Sequence, residues 1–300
     1  MDMTHNKCCR HGASLRRRRR RRRKILRSII FSCSIIAVAV FVAVGSSMIR
    51  SGDGRTNRYD VEAGNNTYDN AVIENSKISE KNKIQNNQSM LDDIMNSTQY
   101  PKQLKDLALK NEEALEFVYD YPAEHVKEHT IDLTEEASMD SVPLFVQWDK
   151  RWGYEKYSGN FFAASGCGPT TLSMVVVYLT HNREASPIAV AKYSKEAGYS
   201  VDGSGSSWTL ISEGCRHYGV KAKTVALDES RMKAELDEGH PIVVNVGPGD
   251  FTDTGHFMVI TGYDDEGFSI NDPNSIEKSG KRWLFRNISS QIRAVWSMYV

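Results

Sequence analysis

From Ser28 to Ile49 the chain runs 22 residues without a charge, bounded by Arg27 and Arg50. At about 1.5 Å rise per residue a helix of that length spans roughly 33 Å, close to the hydrocarbon core of a bilayer. Its β-branched residues (Ile29, Ile30, Ile35, Ile36, Val38, Val40, Val42, Val44) disfavour a helix in water. In lipid only a helix or a closed barrel satisfies the backbone. A cleaved signal peptide is the rival, with Ala43 and Gly45 as small residues near a cleavage point. The apolar stretch and the region before it are both long for one. The sequence therefore predicts a transmembrane anchor over 28–49, with nothing nearby on which a buried core helix would pack.

Charge is distributed to match. The formal net charge is zero, but residues 1–28 hold twelve Lys or Arg, including Arg16 to Arg23, against the single acid Asp2. That is +11 at one end and −11 over the remainder. Beside a membrane span, the excess of basic residues on the cytoplasmic side explains the arginine run without nucleic acid, so no nucleic-acid partner is expected. Residues 1–27 become a basic cytoplasmic tail, and everything after Arg50 lies outside the cytoplasm.

Residues 50–100 are polar and Asn-rich, and between 51 and 97 there is no Pro or Trp. This composition predicts a disordered stalk. Over 101–140, a helical segment and connector is expected, with Pro101 opening an amphipathic helix in which Leu104, Leu107, Ala114, Leu115 and Val118 recur at helical spacing. All five Trp fall within 141–300, a length able to bury a core. Helices are expected after Cys167, from Ser186-Pro187, over 207–218 and over 229–238. Strands are expected over 220–226, 241–246, 256–263 and 267–272, with short strands and a helix near 288–292 at the end. Helices first and antiparallel strands later indicate an α+β fold.

Chemistry concentrates at Ser165-Gly166-Cys167-Gly168-Pro169-Thr170. Pro169 launches a helix, so the sulfur sits at a helix N-terminus, where free N–H groups and the dipole favour thiolate. The flanking glycines let a substrate approach. The alternatives for Cys167 are a buried apolar residue or a disulfide to Cys215, the other cysteine of the globular part. A thiolate nucleophile needs an imidazole. Among eight His, His256 stands at the mouth of an apolar strand (Gly255-His256-Phe257-Met258-Val259-Ile260). A polar turn over 264–267 then returns the chain through Phe268-Ser269-Ile270-Asn271-Asp272-Pro273. A hairpin there brings Asp272 toward His256, where it can orient the imidazole; as an isolated feature, Asn-Asp-Pro is also ordinary turn chemistry.

These residues resemble papain-like cysteine peptidases, and more closely the bacteriocin-processing (double-glycine) peptidase-like family, the C-39-like peptidases. The matching pieces are Gln147-Trp148-Asp149-Lys150-Arg151-Trp152-Gly153, the Cys167 motif, Gly255-His256-Phe257 and Asn271-Asp272-Pro273, spread over 141–300. The resemblance implies a papain-like fold with helices packed on an antiparallel sheet. It implies Cys167 as nucleophile, His256 as base, Asp272 as orienting acid and Gln147 as an oxyanion-hole donor, acting on a peptide or protein substrate without cofactor or metal. Members of the family inside export transporters cut leader peptides after two glycines. This sequence has no Gly-x-x-x-x-Gly-Lys-Ser/Thr phosphate loop, so that substrate is not carried over. A cell-wall amidase or transpeptidase using the same thiol, or a non-catalytic surface module, are the alternatives.

Two other motifs weigh less. His125-Val126-Lys127-Glu128-His129 fits a zinc-peptidase pattern, but it follows Tyr121-Pro122 in a polar connector with no clear third ligand. Gly203-Ser204-Gly205-Ser206-Ser207 lacks a preceding strand and a Lys, and is expected as the loop before Trp208, lining the cleft.

Overall fold

The computed structural model describes residues 65–300, with side chains from Ser79 onward; Ile73–Val300 form one unit. The basic tail and the 28–49 span lie outside these residues. No helix among the described residues is long and apolar enough to cross a membrane.

The helices that bear on the site are α1 (Asn65–Asn96), α2 (Lys102–Lys110), α3 (Leu115–Tyr119), α4 (Cys167–Thr180), α5 (Pro187–Glu196) and α6 (Glu229–Asp237). The main sheet has six strands: β1 (Lys221–Thr224), β2 (Ile242–Val246), β3 (His256–Asp264), β4 (Gly267–Asn271), β5 (Arg282–Trp283) and β6 (Ile292–Tyr299). Their spatial order is β1-β6-β2-β3-β4-β5, and every pairing is antiparallel. The mixed helix and antiparallel-sheet architecture is the one expected from the sequence.

Side-chain alternation divides the sheet between two cores. Val243, Phe257, Val259, Trp296 and Met298 join α4 and α5 in one cluster. Ile242, Val244, Val246, Met258, Ile260, Phe268 and Ile270 form the other, closed by Met232 of α6. This is why β2 reads as an unbroken apolar run: both its faces are covered. Helix α4 holds three consecutive β-branched residues, Val175 to Val177, yet is helical because it is buried from Gly168 to Val177. Burial on all sides outweighs a propensity of tenths of a kcal/mol per residue.

Four expectations are corrected. The stalk expected over 50–100 contains helix α1 instead. Its polar composition hides a short apolar stripe at its end, where Met90, Leu91 and the fully buried Ile94 pack with Leu104, Leu107 and Val118. The single helix expected after Pro101 is broken at Asn111, which is extended (φ −136°, ψ 99°), and resumes as a 3-10 turn, Glu112–Ala114, and then α3. The buried residues are nevertheless those expected, and they dock on Phe161 and Ala163 just before the Cys167 motif. The helix expected over 207–218 is two short turns, Thr209–Ser212 and Gly214–Tyr218, because Glu213 (φ −126°, ψ −47°) leaves helical geometry. At the C-terminus, Ile292 begins not the end of a helix but an eight-residue strand, β6, lying between β1 and β2. Trp296 and Met298 face one core and Val295 the other, so the strand carries no clean alternation.

Candidate active site

Cys167 is the first residue of α4, following a turn at Gly166. Both flanking glycines are needed for close packing. A Cβ on Gly166 would come within 2.6 Å of the Phe162 ring, and one on Gly168 within 2.6 Å of Ser206 Oγ. Ser206 belongs to the glycine-rich segment expected as a loop with no preceding strand; the segment is instead the second arm of a short hairpin, Gly205–Ser206 pairing antiparallel with Ser200–Val201. Tyr157 holds Ser206 there through a hydroxyl contact of 2.6 Å. The helix is tied to the sheet by Thr171 Oγ1, which donates to the Phe257 carbonyl at 3.1 Å, one residue from His256.

His256 begins β3, opposite Val246 of β2. Asn245 Nδ2 donates to its carbonyl at 3.2 Å. In the β3–β4 hairpin Asn271 is opposite Val259, so the next residue, Asp272, comes within reach of His256. His256 Nε2 lies 2.7 Å from Asp272 Oδ1, with His256 6% exposed and Asp272 fully buried. This leaves Nδ1 as the ring nitrogen that Asp272 does not engage.

The electrostatics of the pair oppose burial and overcome it. Desolvation disfavours a charged imidazole, but the Asp272 carboxylate, through its charge and its hydrogen bond, and then Cys167 raise the His256 pKa well above the usual 6.5. Burial likewise disfavours the Cys167 thiolate, but the His256 hydrogen bond and charge, with backbone hydrogen bonding from Phe257 and Gly168, bring its pKa below the usual thiol value. Both shifts favour thiolate and imidazolium together. Cys215 behaves in the opposite way. It is fully buried, and burial pushes its thiol up to about 11. Both cysteines are free thiols, so the disulfide alternative does not hold.

Gln147 is 4% exposed and bridges the two halves of the site. Its backbone N–H donates to Pro273 O at 2.7 Å, and its Nε2 donates to Ala163 O at 2.7 Å. Nε2 carries a second hydrogen. The buried side-chain atoms without a hydrogen-bond partner among the described residues are Gln147 Oε1 and Asp272 Oδ2, both in this site. Such atoms are rare in folded proteins and collect at functional positions.

His256 and Asp272 are thus brought together, and Gln147 joins the segment before Cys167 to the one after Asp272. The sequence reading missed Thr171 and Asn274. Asn274 N–H donates to Asp272 Oδ1 at 2.8 Å. Neither has a signature: one is a Thr inside a helix, the other an Asn in a turn. The His125–His129 motif does not form a helix face, because the helical turn Tyr121–Glu124 ends before it. The His125 ring stacks on Tyr121, and His129 lies against Glu124. Among the described residues no cluster of three or more His, Cys, Asp or Glu is arranged to hold a metal ion.

No curated protein matches the chain. The peptidase domain of Streptococcus ComA, a bi-functional ABC transporter involved in a quorum-sensing pathway, is 19% identical with a TM-score of 0.38. That match covers 53% of this chain and 96% of that domain. A C39-like peptidase candidate from Bacillus anthracis is 16% identical with a TM-score of 0.34, over 53% of this chain and 95% of that one. The model of the Peptidase_C39 like family matches residues 139–300. That stretch is more than half of the sequence and contains all four residues of the site, and the chain belongs to the Peptidase_C39 like family.

Proposed function

We propose that the protein is a cysteine peptidase in which Cys167 attacks, His256 transfers protons, Asp272 orients the imidazole and Gln147 stabilises the oxyanion. The observation that carries this is the 2.7 Å contact of His256 Nε2 with a fully buried Asp272, which supports a role for Asp272 in orienting the imidazole and leaves Nδ1 as the nitrogen available to Cys167. The thiolate adds to the scissile carbonyl carbon. The second Nε2 hydrogen of Gln147 and the Cys167 backbone N–H are the donors proposed for the developing oxyanion. His256 gives its Nδ1 proton to the leaving amine as the C–N bond breaks, leaving a thioester. His256 then takes a proton from water, whose oxygen displaces the thiolate and releases the acid.

The test is hydrolysis of a polypeptide mixture by the full chain, with new termini identified by mass spectrometry. Cys167→Ala is expected to abolish the new termini, and Gln147→Ala to reduce their rate of appearance by about 10²-fold, as for loss of one oxyanion donor. Equal cleavage by wild type and Cys167→Ala would refute the peptidase reading.

We also propose that the enzyme is anchored by residues 28–49 with the family domain outside the cytoplasm. The sequence supports this through the uncharged span and the basic run before it. Protease added to intact cells should then remove residues 141–300 and spare the tail. Protection of the domain would overturn the topology.

A further inference from the structure

The break in the helical segment at Asn111 has contacts that reach the candidate site. Asn111 Nδ2 donates to Asn274 O at 2.9 Å and lies 3.1 Å from Asn274 Oδ1. Trp148 Nε1 also points at Asn274 O, at 3.4 Å. Two residues on, the Glu113 carboxylate accepts from the Ser275 hydroxyl and from the backbone N–H groups of Ile276, at 2.7 Å, and Glu277, at 3.1 Å. The turn gripped in this way is the one that holds Asp272. Asn274 N–H donates to Asp272 Oδ1, the same oxygen that accepts from His256. At the far end of the turn, Ser279 Oγ accepts from the Asp272 backbone N–H at 2.9 Å.

Asn111 and Glu113 lie outside residues 139–300, the stretch that matches the family. The domain's orienting acid is therefore held in part by a segment the domain does not itself contain. The fold explains how the contact is reached. Ala114, Leu115, Phe117 and Val118 are buried beside Phe161 and Ala163, which seats the segment against the site. The extended backbone of Asn111 then lets its side chain turn toward residue 274 while also accepting from Glu113 N–H at 3.0 Å.

We propose that Asn111 and Glu113 form a positioning clamp on the Asp272–Ser279 turn, so that the activity of the family domain depends on the segment that precedes it. The proposal rests on the reading of Cys167, His256 and Asp272 as a catalytic triad. Neither clamp residue touches the reacting atoms. They act by holding Asp272 Oδ1 where it meets the imidazole, and displacement of a positioned group by about 1 Å is enough to cost much of its effect. Three donors converging on one carboxylate make the grip charge-assisted. Glu113→Ala would leave those donors without their acceptor and free the turn.

The test is the pH dependence of Cys167 alkylation by iodoacetamide in the full chain, with the buried Cys215 as an internal report of folding. A loosened Asp272 supports the imidazolium less well, and the imidazolium supports the thiolate. Glu113→Ala and Asn111→Ala are therefore expected to label roughly fivefold more slowly than wild type at mildly acidic pH, the scale of one hydrogen bond. At alkaline pH, where the thiol ionises without help, they should label at the wild-type rate. Glu113→Gln keeps an acceptor and should fall between. If Glu113→Ala exposes Cys215, Asn111→Ala decides alone. Wild-type labelling by both alanine variants at acidic pH, with His256→Ala slowed, would overturn the clamp and leave the triad standing. Wild-type labelling by His256→Ala as well would remove the triad, and the clamp with it.

Discussion

Replacing His256 by alanine is expected to lower peptide hydrolysis by about 10³-fold or more, as loss of the proton-transferring member of a triad does. The loss has two parts, and both follow from the shifts at the site. The imidazolium lowers the Cys167 pKa against the cost of burial, so without it the thiol is protonated at mildly acidic and neutral pH. The proton for the leaving amine is also gone. The sign of the pH dependence follows. Wild-type activity should rise as pH passes upward through the lowered Cys167 pKa and fall as it passes the raised His256 pKa. Between the two, thiolate and imidazolium coexist. In His256→Ala the residual rate should track ionisation of an unassisted thiol. Steady-state hydrolysis across pH measures this, and an unchanged rate at neutral pH would remove His256 from the mechanism.

Asp272→Asn is expected to cost about 10² in turnover or more while the fold survives, through loss of charge rather than of volume. The carboxylate is the main force raising the His256 pKa against burial. An amide of the same shape keeps a polar atom near Nε2, at 2.7 Å in the wild type, but not the negative charge. The imidazolium then loses its counter-ion, and the thiolate loses part of its own. Asp272→Ala should be worse for stability. Removing one member of a buried ion pair leaves the other uncompensated, at about 3–5 kcal/mol while His256 stays charged. Thermal unfolding together with turnover separates the two variants. Asp272→Asn at the wild-type rate would show that the acid does not orient the base.

Local chemistry made much of this site legible in the sequence. Gly-Cys-Gly-Pro announces a helix start with a sulfur at its first residue, and that is where Cys167 stands. The apolar run after His256 and the polar turn over 264–267 specify a hairpin, and the hairpin delivers Asp272. What was hidden depends on partners distant in sequence. The Asn-rich stretch ends in a helix whose only anchorage among the described side chains is its last turns, and three apolar residues in a polar segment carry little signal. Strand β6 has a core on both faces and so lacks the period of two that marks a half-buried strand. The grip of Glu113 on residues 275–277 spans about 160 positions of sequence. No local rule connects a Glu after a helix break to a turn near the far end of the chain.

The ionisation state of Cys167 tests the central claim most directly. The measurement is its alkylation rate in the full chain as a function of pH, resolved from that of Cys215 by mass spectrometry, in wild type and in His256→Ala. Cys167 should react at mildly acidic pH, with an inflection well below that of an ordinary thiol. Cys215, its pKa pushed up to about 11 by burial, should stay silent, and His256→Ala should move the Cys167 inflection upward. An inflection for Cys167 at the usual thiol value, the same in wild type and in His256→Ala, would contradict the thiolate–imidazolium pair on which the account stands.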